Sequence, residues 1–384
     1  MIYLLTFAIS VLFLYIAGKC RGLLAYFFVT VGLLIPCILA SARDSSIGTD
    51  VGVYGIWTFQ TASQNDLISF LELSSSTSPP GFNLFSWVII NASNSFEIYL
   101  GSLQFLTIVP VYITAHYLFN KHEWLCMLCY FFLIYPLSLN VMKQCIAVAI
   151  GFVAIIFAFK KQPLHYLIII LLAISFHQTG FIAALTYPIL RLTLNPNSGR
   201  KLLGKWRNYI LIMLGVTSIA IIFLFGEKII YFFAQFKESY TYQIMHIGDG
   251  STNEATLVLA VAAFAIWWIC RQSIDNVSYN IKNISVQDNT PKTAIYDFYF
   301  VTYILGCTLI QLELLSESVG RVGYYFIPYA GLFVSSLTYS TDKKSSYASF
   351  VLVVLFTFYF IFAFIFQRGG EIYPFVTTLG EIFY

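Results

Sequence analysis

Apolar runs broken by short polar intervals repeat along almost the whole chain. A bilayer core needs a helix of roughly 20 apolar residues, with about 17–25 as the usual range. Runs that meet or approach this length lie at 2–18, 22–42, 96–119, 124–140, 143–159, 163–176, 179–191, 209–225, 255–270, 295–315, 322–340 and 346–366. The pattern predicts an all-α polytopic integral membrane protein with about twelve transmembrane helices. The sixth and seventh runs are short enough to form one bent pair.

Two intervals are longer than a connecting turn requires, at about 43–95 and 226–254. The first is rich in Ser and Thr and contains the turn signal Pro79-Pro80-Gly81. Its aromatic groups, Tyr54, Trp57 and Phe59, then Phe82, Phe85 and Trp87, predict short helices lying at a membrane interface. The second carries Tyr231, Phe232, Phe233, Tyr240 and Tyr242 ahead of His246. With no internal repeat, residues 1–384 read as a single transmembrane domain.

Composition agrees: 59% of residues are hydrophobic and 10% charged, against about a quarter charged in a soluble domain. The net charge of +3 is too small to imply a nucleic-acid partner, no basic run supports one, and none is expected. Seven cysteines lie within or beside apolar runs and read as small hydrophobes. Cys126 and Cys129 form a C-x-x-C without the second half that a zinc site needs. The first run lacks a basic flank and a small-residue cleavage site, so it is expected to stay as a helix.

Basic residues give the direction of the runs, because short cytoplasmic loops collect Lys and Arg. With Lys19 and Arg21 inside, alternation leaves six of the 21 basic residues outside: Arg43, Lys143, Lys228, Lys237, Arg321 and Arg368. Both larger intervals then face the periplasm or exterior, as do both ends of the sequence.

Four polar clusters fall at the outer ends of runs. Arg43-Asp44 precedes Gly48-Thr49-Asp50 and Tyr54; Arg43 and Asp44 form either a local ion pair or part of a site. Asn140, Lys143, Gln144 and Ala147 are spaced to share one helical face, as a helix start with a snorkelling lysine or as a binding face. His177 stands between Ser175 and Thr179, either as a structural group or as a proton acceptor. Arg321 follows Glu317 by one turn and precedes Tyr324-Tyr325, which allows a local ion pair. A cation near hydrocarbon is costly, about 2.5–3.5 kcal/mol at a helix centre and less toward its ends. Several at one level point to a shared anionic partner.

These clusters resemble the EpsG family of Wzy-like polysaccharide polymerases. The resemblance rests on Arg43 with Gly48-Thr49-Asp50 and Tyr54, on Asn140-x-x-Lys143-Gln144-x-x-Ala147, and on Phe176-His177-x-x-Gly180. It continues with Arg321 before Tyr324-Tyr325 and with Tyr373-Pro374-Phe375, so that it spans nearly the whole chain. At Lys143 the family usually has arginine, and a lysine keeps the charge without the planar fork.

The resemblance implies a GT-C-like fold in the bacterial cytoplasmic membrane with its active site facing outward. It implies undecaprenyl-pyrophosphate-linked oligosaccharide as donor and acceptor, with a flippase and a chain-length regulator as partners. No Walker or dinucleotide-binding motif is present, and neither a cofactor nor a metal is expected. Arg43, Lys143 and Arg321 are then expected to hold the pyrophosphate. His177, with Asp50 and Asp44 as alternatives, is expected to act as general base. Gln144, Asn140, Tyr54 and Tyr324 are expected to support the glycan. A flippase for lipid-linked oligosaccharide is one rival reading, with Glu313 and His116 as its mid-span ionisable groups. A membrane acyltransferase acting on glycans is the other.

Overall fold

A computed structural model of the chain describes residues 2–119, 122–194, 253–274, 292–314, 316–338 and 343–383. Helices dominate these residues, because in hydrocarbon a backbone has to satisfy its own polar groups within each segment. Six of the described helices are long and apolar enough to cross a membrane: Leu23–Ser41, Phe96–Leu118, Met142–Phe159, Glu254–Arg271, Thr293–Leu314 and Lys343–Phe366. Ile2–Ala17, Glu123–Leu133 and Pro163–Phe176 are apolar but shorter. The run at 209–225 and nearly all of the second larger interval lie outside the described residues. The chain divides into two compact units, the first comprising Met1–Leu185 and Val353–Tyr384.

The first unit opens with α1 (Ile2–Ala17) and α2 (Leu23–Ser41), which pack together. Gly32 of α2 lets the backbones approach until Ser10 Oγ donates to the Gly32 carbonyl at 2.6 Å. The interval 43–95 then folds into a π-helical turn, Val51–Gly55, and three short helices, α3 (Ile56–Gln64), α4 (Leu67–Ser74) and α5 (Pro80–Ser93). Their aromatic residues chiefly pack inward: Phe82 is fully buried, Phe59 meets Phe96, and Trp87 Nε1 donates to the Asn65 carbonyl at 3.1 Å. Of the expected interfacial aromatics, Trp57 remains exposed.

Next come α6 (Phe96–Leu118), α7 (Glu123–Leu133), α8 (Tyr135–Asn140), α9 (Met142–Phe159) and α10 (Pro163–Phe176). Helix α9 is the centre of the unit, packed against α6 and α10. Ala147, Ala149 and Ala154 are buried without residual exposure, and small residues of this kind let helices approach closely where no water drives them together.

The expected run at 124–140 is broken. Pro136 sits in the first turn of α8, where a ring without an N–H is tolerated but cannot continue the preceding helix. Val141 (φ −97°, ψ 61°) then separates α8 from α9. Asn140 therefore does not share a helical face with Lys143 and Gln144, as a continuous helix would have required. The run at 179–191 likewise divides into a 3₁₀ segment, Gln178–Leu185, and α11 (Thr186–Leu194).

The second unit contains α11, α12 (Glu254–Ile274) and α13 (Lys292–Ile310), extended by a 3₁₀ turn over Gln311–Leu314. Helices α12 and α13 are joined by the buried Asp297, which accepts from Trp267 Nε1 at 2.8 Å and from Arg271 Nε and Nη2 at 3.1 and 3.0 Å. The expected run at 322–340 is also divided. After α14 (Glu317–Gly320), a 3₁₀ turn over Arg321–Tyr325 and Pro328 precede α15 (Tyr329–Leu337). Helix α16 (Lys343–Phe360) begins in the second unit, whereas the π-helical turn that ends it, Ile361–Phe366, and the C-terminal hairpin that pairs β1 (Phe375–Val376) with β2 (Ile382–Phe383) belong to the first.

Candidate functional site

Three parts of the chain meet at one end of the first unit: the segment after α2, the α8–α9 junction, and the C-terminal segment. Arg43 leaves the end of α2 and is only 1% exposed. Its Nη1 donates to the Leu139 carbonyl at 3.0 Å and its Nη2 to the Met142 thioether at 3.1 Å, a weak acceptor. The buried Nε has no partner among the described residues. Burial lowers the Arg43 pKa, while nearby tyrosines and Asp50 oppose that shift. A guanidinium nonetheless stays protonated in proteins, so this end of the unit holds a positive charge below its surface.

Arg43 does not pair with Asp44. The Asp44 carboxylate instead accepts from the Ser46 backbone N–H at 2.9 Å, and that contact holds it below the usual carboxylate range. A carboxylate of lowered pKa is a weak base at neutral pH.

Asp50 ties the first segment to α9. Its Oδ2 accepts from the Met142 N–H at 3.1 Å, placing a negative charge at the start of α9, where the helix dipole favours it. The same oxygen accepts from the Tyr54 hydroxyl. Burial, and then the Asp50 charge, push the Tyr54 phenol well above its ordinary value, so it remains an O–H donor.

One face of the Tyr54 ring carries Lys143, whose Nζ lies 3.6 Å from the ring centroid. The ammonium also donates to Ser78 Oγ at 3.0 Å and reaches the Thr77 carbonyl at 3.4 Å. That face of the Tyr54 ring is thus used for a cation–π contact. Gln144, one residue on, is buried at 4% exposure, and Asn140 lies beside Gly370.

His177 caps α10 at the same end of the unit, because α9 and α10 run antiparallel through the short turn at Lys160–Gln162. Its Nδ1 accepts from the Thr179 N–H at 3.3 Å and lies 2.7 Å from the Thr179 hydroxyl. Gly180 closes the turn because a Cβ there would stand 2.6 Å from the Ala173 carbonyl carbon.

The C-terminal segment is what the residue patterns did not assign. Gly48 N donates to the Glu371 carbonyl at 3.2 Å, and Thr49 Oγ1 to Glu371 Oε2 at 2.7 Å. Asp44 N donates to the Val376 carbonyl and Thr378 N to the Ala42 carbonyl, bracketing an isolated bridge between Arg43 and Thr377. Tyr3 OH anchors the segment through the Ile372 carbonyl at 2.8 Å, and the buried Phe375 packs edge-on against Tyr3. Tyr373-Pro374-Phe375 is thereby part of the strap that returns to Arg43. The turn residues Gly369-Gly370 ahead of it were the available signal.

In the second unit, Arg321 Nη2 meets Glu317 Oε1 at 2.5 Å, the local pair that their spacing allowed. Tyr324 is buried, and its hydroxyl lies 3.5 Å from Glu313 Oε1. Glu313 Oε2 accepts from Asn253 Nδ2 at 3.3 Å. Gly320 makes room for this carboxylate, since a Cβ there would stand 2.2 Å from Glu313 Cγ. Glu313 was legible only as a mid-span acid; the turn that places Gly320 and Tyr324 on it was not.

Fold and site together define a multi-pass helical membrane protein whose charged residues gather at helix ends. The model of the EpsG family matches residues 25–377, nearly the whole chain. The chain belongs to the EpsG family, a family of Wzy-like polysaccharide polymerases. No curated protein matches it, and no solved structure does.

Proposed function

We propose that the chain joins polyprenyl-pyrophosphate-linked oligosaccharide repeat units on the outer face of the cytoplasmic membrane. The observation that carries this reading is Arg43. In a chain of a polymerase family, a buried guanidinium spends its hydrogen bonds on a carbonyl and a thioether, with Lys143 held nearby around the same α8–α9 junction. A buried cation facing neutral acceptors is costly, and a diphosphate arriving at the junction would offset that cost.

In the proposed reaction an acceptor sugar hydroxyl attacks the anomeric carbon of the donor. The new C–O bond forms as the bond to the pyrophosphate breaks, and polyprenyl pyrophosphate leaves. Charge-assisted contacts are worth about 1.5–3 kcal/mol each, and those that strengthen as the leaving group gains charge lower the barrier. Lys143 supplies the reachable charge and Arg43 the fixed field beneath it. Arg321 is assigned the same task on sequence grounds alone.

The attacking hydroxyl loses its proton to a base. Asp50 is already engaged with Met142 and Tyr54, and Asp44 is weakened by Ser46. Within the first unit His177 remains the candidate; Glu313, whose carboxylate lies between an amide and a phenol, is a separate candidate in the second unit. A base opposite the leaving group would invert the anomeric centre.

Reconstitution in liposomes with lipid-linked repeat units tests the proposal. Polymer appearing together with released polyprenyl pyrophosphate supports it. Transbilayer movement of an unchanged donor would instead support a flippase.

A further inference from the structure

A groove of about 430 Å³ opens between the serine-rich segment after α4 and the end of α10. Its size falls within the roughly 300–1,000 Å³ of small-ligand clefts. Gly81 lets α5 approach the end of α10, since a Cβ there would stand 2.3 Å from Ser175 Oγ, and Phe85 packs against Phe176.

Three of the five hydroxyls on its walls have a common polarity. Ser75 Oγ donates to the Glu72 carbonyl at 2.8 Å, Thr77 Oγ1 to the Ser74 carbonyl at 3.1 Å and Ser175 Oγ to the Leu172 carbonyl at 2.7 Å. With their protons committed to the backbone, these oxygens offer lone pairs to the groove. Lys143, without lining the groove, places its ammonium on Ser78 Oγ and the Thr77 carbonyl. Leu171, Ile174 and Pro79 add apolar wall.

This combination selects its ligand. A cation is repelled by the ammonium, and an anion meets the acceptor oxygens of Ser75, Thr77 and Ser175. A neutral molecule rich in O–H donors, with C–H faces for the apolar wall, meets neither penalty. We propose that this groove binds a neutral saccharide segment of the repeat unit through its hydroxyl groups, apart from the pyrophosphate; the assignment rests on the polymerase reading above.

The test uses the full-length protein in nanodiscs and the repeat-unit oligosaccharide released from the host's surface glycan, freed of lipid and phosphate. Saturation-transfer NMR reads binding, with inorganic pyrophosphate as competitor. Wild type is expected to bind the oligosaccharide without displacement by pyrophosphate. Ser76→Trp, which fills the groove from an exposed position, is expected to weaken binding at least roughly tenfold, about 1.4 kcal/mol. Gln178→Ala, which truncates another side chain lining the groove, is expected to weaken it several-fold. No binding to wild type, binding unchanged in both variants, or displacement by pyrophosphate overturns the proposal. The polymerase reading is judged separately, by the surface glycan of a deletion strain. Long polymer there, alongside Ser76→Trp-sensitive binding, would sink that reading and leave the groove. Loss of polymer, alongside binding indifferent to both variants, would do the reverse.

Discussion

The Arg43 guanidinium and the Leu139 carbonyl meet at 3.0 Å, and the same carbonyl marks where a side chain on Gly48 would have to go. A Cβ at Gly48 would stand 2.2 Å from that oxygen. One backbone group at the end of α8 thus receives a buried cation and closes off a turn.

Gly48 has a φ of +82°, in the region that L side chains rarely adopt, so Gly48→Ala adds backbone strain to a clash with a carbonyl. The expected cost is about 2 kcal/mol or more, read as a lower unfolding temperature of the detergent-solubilised protein. Gly52→Ala serves as the comparison, because nothing lies within 4 Å of its Cβ position. Equal stability of the two variants would remove Gly48 from the junction.

Tyr54 performs two tasks that two substitutions separate. Tyr54→Phe removes the donor to Asp50 but keeps the ring beneath Lys143, at an expected cost of about 1 kcal/mol. Tyr54→Leu removes the ring as well and is expected to cost about 0.5–2 kcal/mol more. Chemical denaturation of both variants gives the difference. Equal losses would show that the contact with Lys143 contributes nothing.

Much of this architecture was legible in the chain. Apolar runs gave the positions of α2, α6, α9 and α10 to within a residue or so at their ends, because burial in lipid requires long uniform helices. Breaks at Pro136 and Pro328 were harder to see, since the surrounding residues stay apolar whether or not the helix continues. Arg43, Asp50 and Lys143 were visible as polar residues at run ends. Their partners Leu139, Met142 and Thr77 were not, because backbone carbonyls and a thioether leave no mark in a residue pattern. Glu371 was missed for a different reason: it meets Thr49 from 322 positions away.

Glu313 and Glu317 provide a contrast within the second unit. Glu313→Gln keeps the shape of the side chain between Asn253 and Tyr324 but removes its capacity to take a proton. It is expected to abolish polymer with little change in membrane abundance. Glu317→Gln alters an exposed partner of Arg321, and since surface pairs are worth about 0–1 kcal/mol, polymer is expected to persist. Normal polymer from Glu313→Gln would leave His177 as the base to be tested.

Sidedness is open to labelling. In a Cys20→Ser background, which removes the one partly exposed native thiol among the described residues, Ser76→Cys and Glu317→Cys are expected to react with an impermeant maleimide added outside intact cells. Protection of both until the membrane is opened would place these residues on the cytoplasmic face and exclude an outward site.

The most direct measurement is gel analysis of surface glycan from a strain lacking this chain, complemented with wild type, Arg43→Ala or Lys143→Met. The account predicts long polymer with wild type, and a single repeat on carrier lipid with the empty strain and with both variants, each variant present in the membrane at normal level. Long polymer without the chain, or from both variants, would contradict it.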